Sequence, residues 1–351
     1  MSENHSLGNT GIQVVKSLED KDVIEIANQV SNKIMTAFPD SNLSYLDIYK
    51  TLLDTPMYYA EIPEGLSKAN YYYKDSSIYF DIYMDLSEID EFVFHECIHK
   101  LQEHKDKKGN LTRLGISEVN ELSVRGTALN EGAIQYLTTR AFSLPKKYVT
   151  VYDITLPSRT EYYPILTNIV ASLAYLLNEN TLIDSTINGN EEFKIEIIDT
   201  LGENQYHYIE RNLNDILKAK DNISDFQRNY EMTEDVRGKI LSNMEHIKNL
   251  YFDTQNIIYI SYFDNMINRV ENDFELSILR KKLYSFKSII GTNENNNDFE
   301  NYCADFERRA NLKVEEFRNR KDLTVVSNNP ILKMIRRIKK LFTNSPKEYY
   351  K

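Results

Sequence analysis

Over residues 22–38 the apolar positions Val23, Ile26, Val30, Ile34 and Phe38 recur every three or four residues and stop before Pro39, the spacing of an amphipathic helix. A shorter helix is predicted over 44–53, ahead of Pro56. The period then changes to two. Residues 57–62 and 71–73 are rich in aromatics, and Ile78, Phe80 and Ile82 alternate with Tyr79, Asp81 and Tyr83 after a polar turn at 74–77, so a small sheet built on a hairpin is expected. Helical spacing returns with Ile89, Phe92, Val93 and Ile98. Ser87 and Asp90 resemble a capping box, which predicts a helix over 88–103. Gly109 and Gly115 bracket an expected loop. Further helices are expected over 118–141 and 163–177, where Pro164 suits a first helical turn.

Beyond Gly202 the pattern is nearly all helical. Ile240, Met244, Ile247 and Tyr251 form one stripe, and Phe274, Ile278, Leu279, Leu283 and Phe286 another. The Asn-rich stretch 292–298 separates the second stripe from a helix around 306–317. The fold class this implies is α+β and predominantly helical. Composition agrees, because eleven glycines and eight prolines among 351 residues leave little of the turn punctuation an all-β sandwich needs. At this length one larger domain with a second module is expected.

A net charge of -11 argues against nucleic acid as a partner. The exception is the end of the chain. Residues 330–351 carry seven Lys or Arg against Glu348 alone. There Ile331, Met334, Ile335, Ile338, Leu341 and Phe342 line one face, and Lys333, Arg336, Arg337, Lys339 and Lys340 lie largely opposite. Such a tail suits an anionic membrane surface, an acidic partner, or packing on the acidic body of the protein itself. Cys97 and Cys303 are too few for a disulfide framework. The first residues lack the basic and apolar regions of a secretory leader. The longest charge-free apolar stretch, 162–178, is short and polar for a membrane span. A soluble, cytoplasmic protein is therefore expected, and export by a route without a cleaved leader is compatible with the sequence.

The chemistry concentrates at residues 95–99, which read His-Glu-Cys-Ile-His inside a predicted helix. Residues four apart project from the same side of a helix one turn apart, so His95 and His99 can both reach one metal ion. Glu96 lies beside them, placed to act on water as a base. Cys97 points away, into the core. A catalytic zinc needs three protein ligands and an open position. The pattern with a third histidine requires a glycine that is absent before Gly109, so His104 is a poor candidate. A carboxylate from a following helix remains, and Glu118, Glu121 and Glu131 are the candidates.

Residues 128–134, Ala-Leu-Asn-Glu-Gly-Ala-Ile, resemble the ligand-bearing helix of the gluzincin metallopeptidases, the thermolysin-like group whose third zinc ligand is a glutamate on a second helix. The resemblance covers about 57–178, with the two motifs as its strong points. It implies Zn2+ held by His95, His99 and Glu131, Glu96 as general base, and peptides or proteins as substrate. It also implies a small sheet beside the active-site helix in a zincin-like domain over 1–200, followed by a helical subdomain over 203–328. The oxyanion donor of that family is a Tyr or His further along the chain, which points to Tyr163 first and His207 second. Two departures stand out. Glu131 follows His99 by 32 residues, longer than in thermolysin, and Gln135 stands where those enzymes have an aspartate supporting a histidine ligand. Two other readings compete with catalysis, a non-catalytic metal-binding protein that recognises a partner through its cleft and a helical scaffold with a membrane-attracted tail. The intact Glu96 disfavours the first of these.

Overall fold

The computed structural model describes residues 10–119, 124–294 and 296–328. Helices dominate, and the sheets are small. Strands β1 (Gln13–Ser17), β2 (Met57–Glu61), β3 (Ala69–Tyr72) and β4 (Ser77–Asp81) form a mixed sheet in the order β1-β2-β4-β3. β2 and β4 run parallel, while β1 and β3 pair antiparallel on either side and leave β3 at an edge. Helices α1 (Asp20–Ala37) and α2 (Tyr45–Leu53) connect β1 to β2. Their buried Ile26, Val30, Ile34, Ile48 and Leu52 share one core with Ile78 and Phe80 of the sheet. Alternation along the strands sends Ala60 and Tyr79 to the other face, beside Ile12.

Helix α3 (Glu91–Leu101) follows β4 and packs on β3 and β4. It starts later than residue 88 because Gln29 of α1 takes hold of the preceding segment. The Gln29 side chain accepts from the Ile89 N–H at 3.0 Å and donates to the Ser87 carbonyl at 2.9 Å. The cap is therefore Asp90, which accepts from the N–H groups of Phe92 and Val93.

Residues 103–125 overturn the expected loop and the helix start at 118. Strands β5 (Glu103–Lys105), β6 (Leu111–Leu114), β7 (Ser117–Val119) and β8 (Val124–Arg125) form an antiparallel meander instead. Its turns rely on left-handed backbone at Gly109 and Gly115, which costs glycine little. The helix carrying Glu131 begins only after Gly126, as α4 (Thr127–Ala141). Next comes a hairpin absent from the sequence expectations, β9 (Lys147–Val151) and β10 (Ile154–Ser158). Its two-residue turn places Tyr152 and Asp153 both at positive φ. Helix α5 (Pro164–Leu176) opens with proline in its first turn, as expected.

The remaining helices are α6 (Glu179–Asn188), α7 (Glu192–Leu201), α8 (Glu203–Asn229), α9 (Glu234–Arg269), α10 (Asp273–Phe286) and α11 (Asp298–Asn328). The described chain divides into two compact units. One runs to Tyr262 and takes in Phe286–Asn296, and the other comprises Phe263–Ser285 and the residues from Asn297 on. Helix α8, expected to open a separate subdomain at 203, belongs to the first unit. It packs on α4 and α7, and its Asn214 accepts from the Ala128 N–H in the first turn of α4 at 3.2 Å. Asn168 of α5 gathers the rest of that unit. It donates to the carbonyls of Pro157 and Ile289 and accepts from Tyr251 and Gln255 of α9.

Within the second unit, Phe263 meets Phe306 edge to face, and Asp264 accepts from both Tyr302 and Arg309 at 2.7 Å. The α10 stripe is rotated from the one expected. Leu276, Leu279 and Leu283 are buried, whereas Phe274 and Ile278 face outward. The basic stretch 330–351 and Glu121 lie outside the described residues. No described helix is long and apolar enough to cross a membrane.

Helix α4 contacts α1, α3, α5, α6 and α8 and is apolar on several sides, as a central helix must be. Gly132 allows α5 its close approach. A Cβ there would lie 2.9 Å from Val170 Cγ2 and 3.0 Å from the Leu166 carbonyl oxygen, which belongs to backbone and cannot swing aside. Gly132→Ala should therefore destabilise the protein by about 1–3 kcal/mol through overpacking. Chemical denaturation of the two chains measures the difference.

Candidate metal centre

His95 and His99 occupy successive turns of α3 and are both buried, with their rings 5.0 Å apart. Glu131, in the second turn of α4, lies opposite them. Its carboxylate oxygens stand 3.4 Å from His95 Nε2 and 3.4 Å from His99 Nε2. One ligand atom from each of the three residues lies within 4.8 Å of the others, so the cluster can hold a metal ion. A tetrahedral centre with bonds of about 2.0–2.1 Å sets neighbouring donors about 3.3–3.4 Å apart, the spacing each imidazole keeps from one of the two Glu131 oxygens. Burial opposes ionisation of Glu131. Protonated imidazoles outweigh it, His99 foremost, and hold the carboxyl well below the usual carboxylate range.

The other nitrogen of His95 is held by Gln135, one turn beyond Glu131 on α4. Gln135 Nε2 donates to Thr160 Oγ1 at 2.9 Å, which leaves Gln135 Oε1 as the acceptor 3.0 Å from His95 Nδ1. Nδ1 therefore carries a proton, which leaves Nε2 as the ring nitrogen that faces Glu131. Gln135 thus fixes the orientation of the His95 ring. His99 lacks such a bond, and its Nδ1 is buried without a partner among the described residues.

A buried amide pair keeps the two ligand helices together. Gln102, the C-cap of α3, and Asn130, beside Glu131, exchange hydrogen bonds at 3.3 and 3.1 Å. Asn130 Oδ1 also accepts from the Ile116 N–H at 3.2 Å. Any side chain at Gly115 would collide with both amides, since a Cβ there falls 2.2 Å from Asn130 Oδ1. The meander turn is thus pressed against the joint between α3 and α4.

Glu96 is partly buried on the cleft side of α3 and accepts from the Tyr71 N–H of edge strand β3 at 2.7 Å. Burial pushes its carboxyl up to about 7, against the pull of His95 and of that N–H. Glu96 and His95 line a cleft of about 510 Å³ together with Phe92, Leu144, Gln135 and Tyr162. The tyrosine in this wall precedes the one the sequence singled out. Tyr162 lies edge-on to the His95 ring at 6.1 Å, whereas Tyr163 packs beside Tyr162 at 4.3 Å with the Lys220 ammonium over its ring. Burial raises the pKa of both hydroxyls. Two consecutive tyrosines before a proline carry no sequence signal that chooses between them.

The other sequence candidates lie apart from the cluster. His207 is exposed, against Tyr206 and Glu210. Glu118 is on β7, a strand rather than a helix, and its carboxylate pairs with Lys194. The His104 ring meets the Asn188 carbonyl at 2.6 Å. Cys97 faces the core as expected and is fully buried there.

Comparison with models of known families, with characterised proteins and with solved structures yields no match for this chain. The site's chemistry therefore rests on its own geometry. Gln135→Leu, which keeps the bulk and removes the acceptor, should weaken metal binding about 10–100-fold. Gln135→Glu, which keeps an acceptor, should stay near the wild type. Competition with a chromophoric chelator measures both.

Proposed function

We propose that the protein is a zinc-dependent metallopeptidase of zincin-like architecture, with His95, His99 and Glu131 as ligands and Glu96 as general base. The observation that carries this reading is the convergence of two imidazole nitrogens and one carboxylate on a single point, with a further carboxylate one residue away facing an open cleft. Two buried nitrogens and one oxygen are a donor set suited to zinc. When bound, zinc would polarise a carbonyl and lower the pKa of water to about 7. Glu96 would take the proton of the attacking water and pass it to the leaving amine. The Tyr71 N–H would hold that carboxylate in place during the transfer. Tyr162, from the cleft wall, would donate to the developing oxyanion.

Glu96→Gln should keep its metal, measured by elemental analysis, and lose hydrolysis of an unfolded protein substrate. Hydrolysis retained at the wild-type rate would remove Glu96 from the mechanism, and a well-folded wild type that takes up no zinc would remove the reading itself. Tyr162→Phe should lower kcat about 10²–10³-fold with little change in KM, as loss of an oxyanion donor does. Tyr163→Phe should change it far less. The reverse order in steady-state kinetics would return the role to Tyr163.

A further inference from the structure

The two histidines are steadied by different means. His95 is fixed by a hydrogen bond from Nδ1, while the Nδ1 of His99 is buried and unpartnered among the described residues. The ring torsion of a histidine is soft, so a ligand without such a bond needs another restraint. The contact that can supply it is a ring. Tyr71 lies nearly parallel to His99, with centroids 5.8 Å apart and planes 11° from each other, an offset-stacked arrangement.

Tyr71 is itself held at both ends. Its backbone pairs with Ile78 in the sheet, and its N–H donates to Glu96. Its hydroxyl donates to Glu103, whose side chain is only 6% exposed and also accepts from Ser76 and Lys100. We propose that Tyr71 is a positioning residue, a plate whose ring sets the plane of His99 for the metal while its main chain steadies Glu96. This rests on reading the cluster as a metal centre.

The test uses the full chain with zinc alone, titrated against a chelator, and with cobalt(II) for its visible spectrum. Tyr71→Phe keeps the ring and should bind zinc within about twofold of the wild type, with the same cobalt spectrum. Tyr71→Leu removes the ring and should weaken binding tenfold or more, the lower end of what lost ligand support costs, with a shifted spectrum. Tyr71→Met, which fills a similar volume without an aromatic face, should behave like Tyr71→Leu and replaces it if that variant does not fold. The thermal midpoint of each metal-free chain separates a general loss of stability from a loss at the site. Equal zinc affinity in wild type, Phe and Met variants would overturn the proposal and leave the metal reading intact. A Phe variant as weak as the Leu variant would also overturn it, because the hydroxyl rather than the ring would then matter. A wild type that binds neither metal would overturn both.

Discussion

Glu131 brings a carboxylate within 3.4 Å of two imidazole nitrogens, in a place where its own side chain is only 18% exposed. An anion so placed costs several kcal/mol in lost hydration unless a positive charge faces it, and neutral imidazoles do not supply one. The cluster is balanced when the histidines are protonated or a cation sits among them. Gln135 suits the second outcome, because its acceptor takes the His95 Nδ1 proton and leaves Nε2 as the ring nitrogen that faces the carboxylate. Three donors around one point can hold a metal ion.

Holding that anion in register requires α3 and α4 to keep one relative position, and much of the first unit serves this end. The Gln102–Asn130 pair joins the end of α3 to the residue before Glu131. Gly115 lets the meander close on the pair, and Gly132 lets α5 press on the opposite side of α4. Asn214 of α8 completes the first turn of α4. The site thus sits where a sheet edge, the two helices that carry the cluster and a supporting helix meet, and the cleft opens between the first turns of α3 and the 144–162 segment.

Features governed by neighbours in sequence were legible before any coordinates. The stripe of α1, the strands at 57–61 and 77–81, the proline start of α5 and the pair His95 and His99 on one face of α3 all follow from local spacing. Glu131 is legible only through the resemblance of its segment to a gluzincin motif, and it stands close enough to both histidines to hold a metal ion with them. The strands of the meander are illegible in the sequence, because two to four residues carry no period and their pairing leaves no signal of its own. Helix α4 hides its start for a related reason, since a helix buried on several sides shows no single stripe. Tyr71, Gln102 and Asn130 acquire meaning only when the fold brings distant segments together. Tyr162 differs from its neighbour Tyr163 only by which ring turns toward the cleft.

Anomalous diffraction at the zinc edge, from crystals of the full chain grown with the metal, tests the central claim most directly. The account requires one strong peak within about 2.0–2.2 Å of His95 Nε2, His99 Nε2 and a Glu131 oxygen. Ordered side chains at all three positions with no peak between them, or a peak whose ligands are other residues, would contradict it.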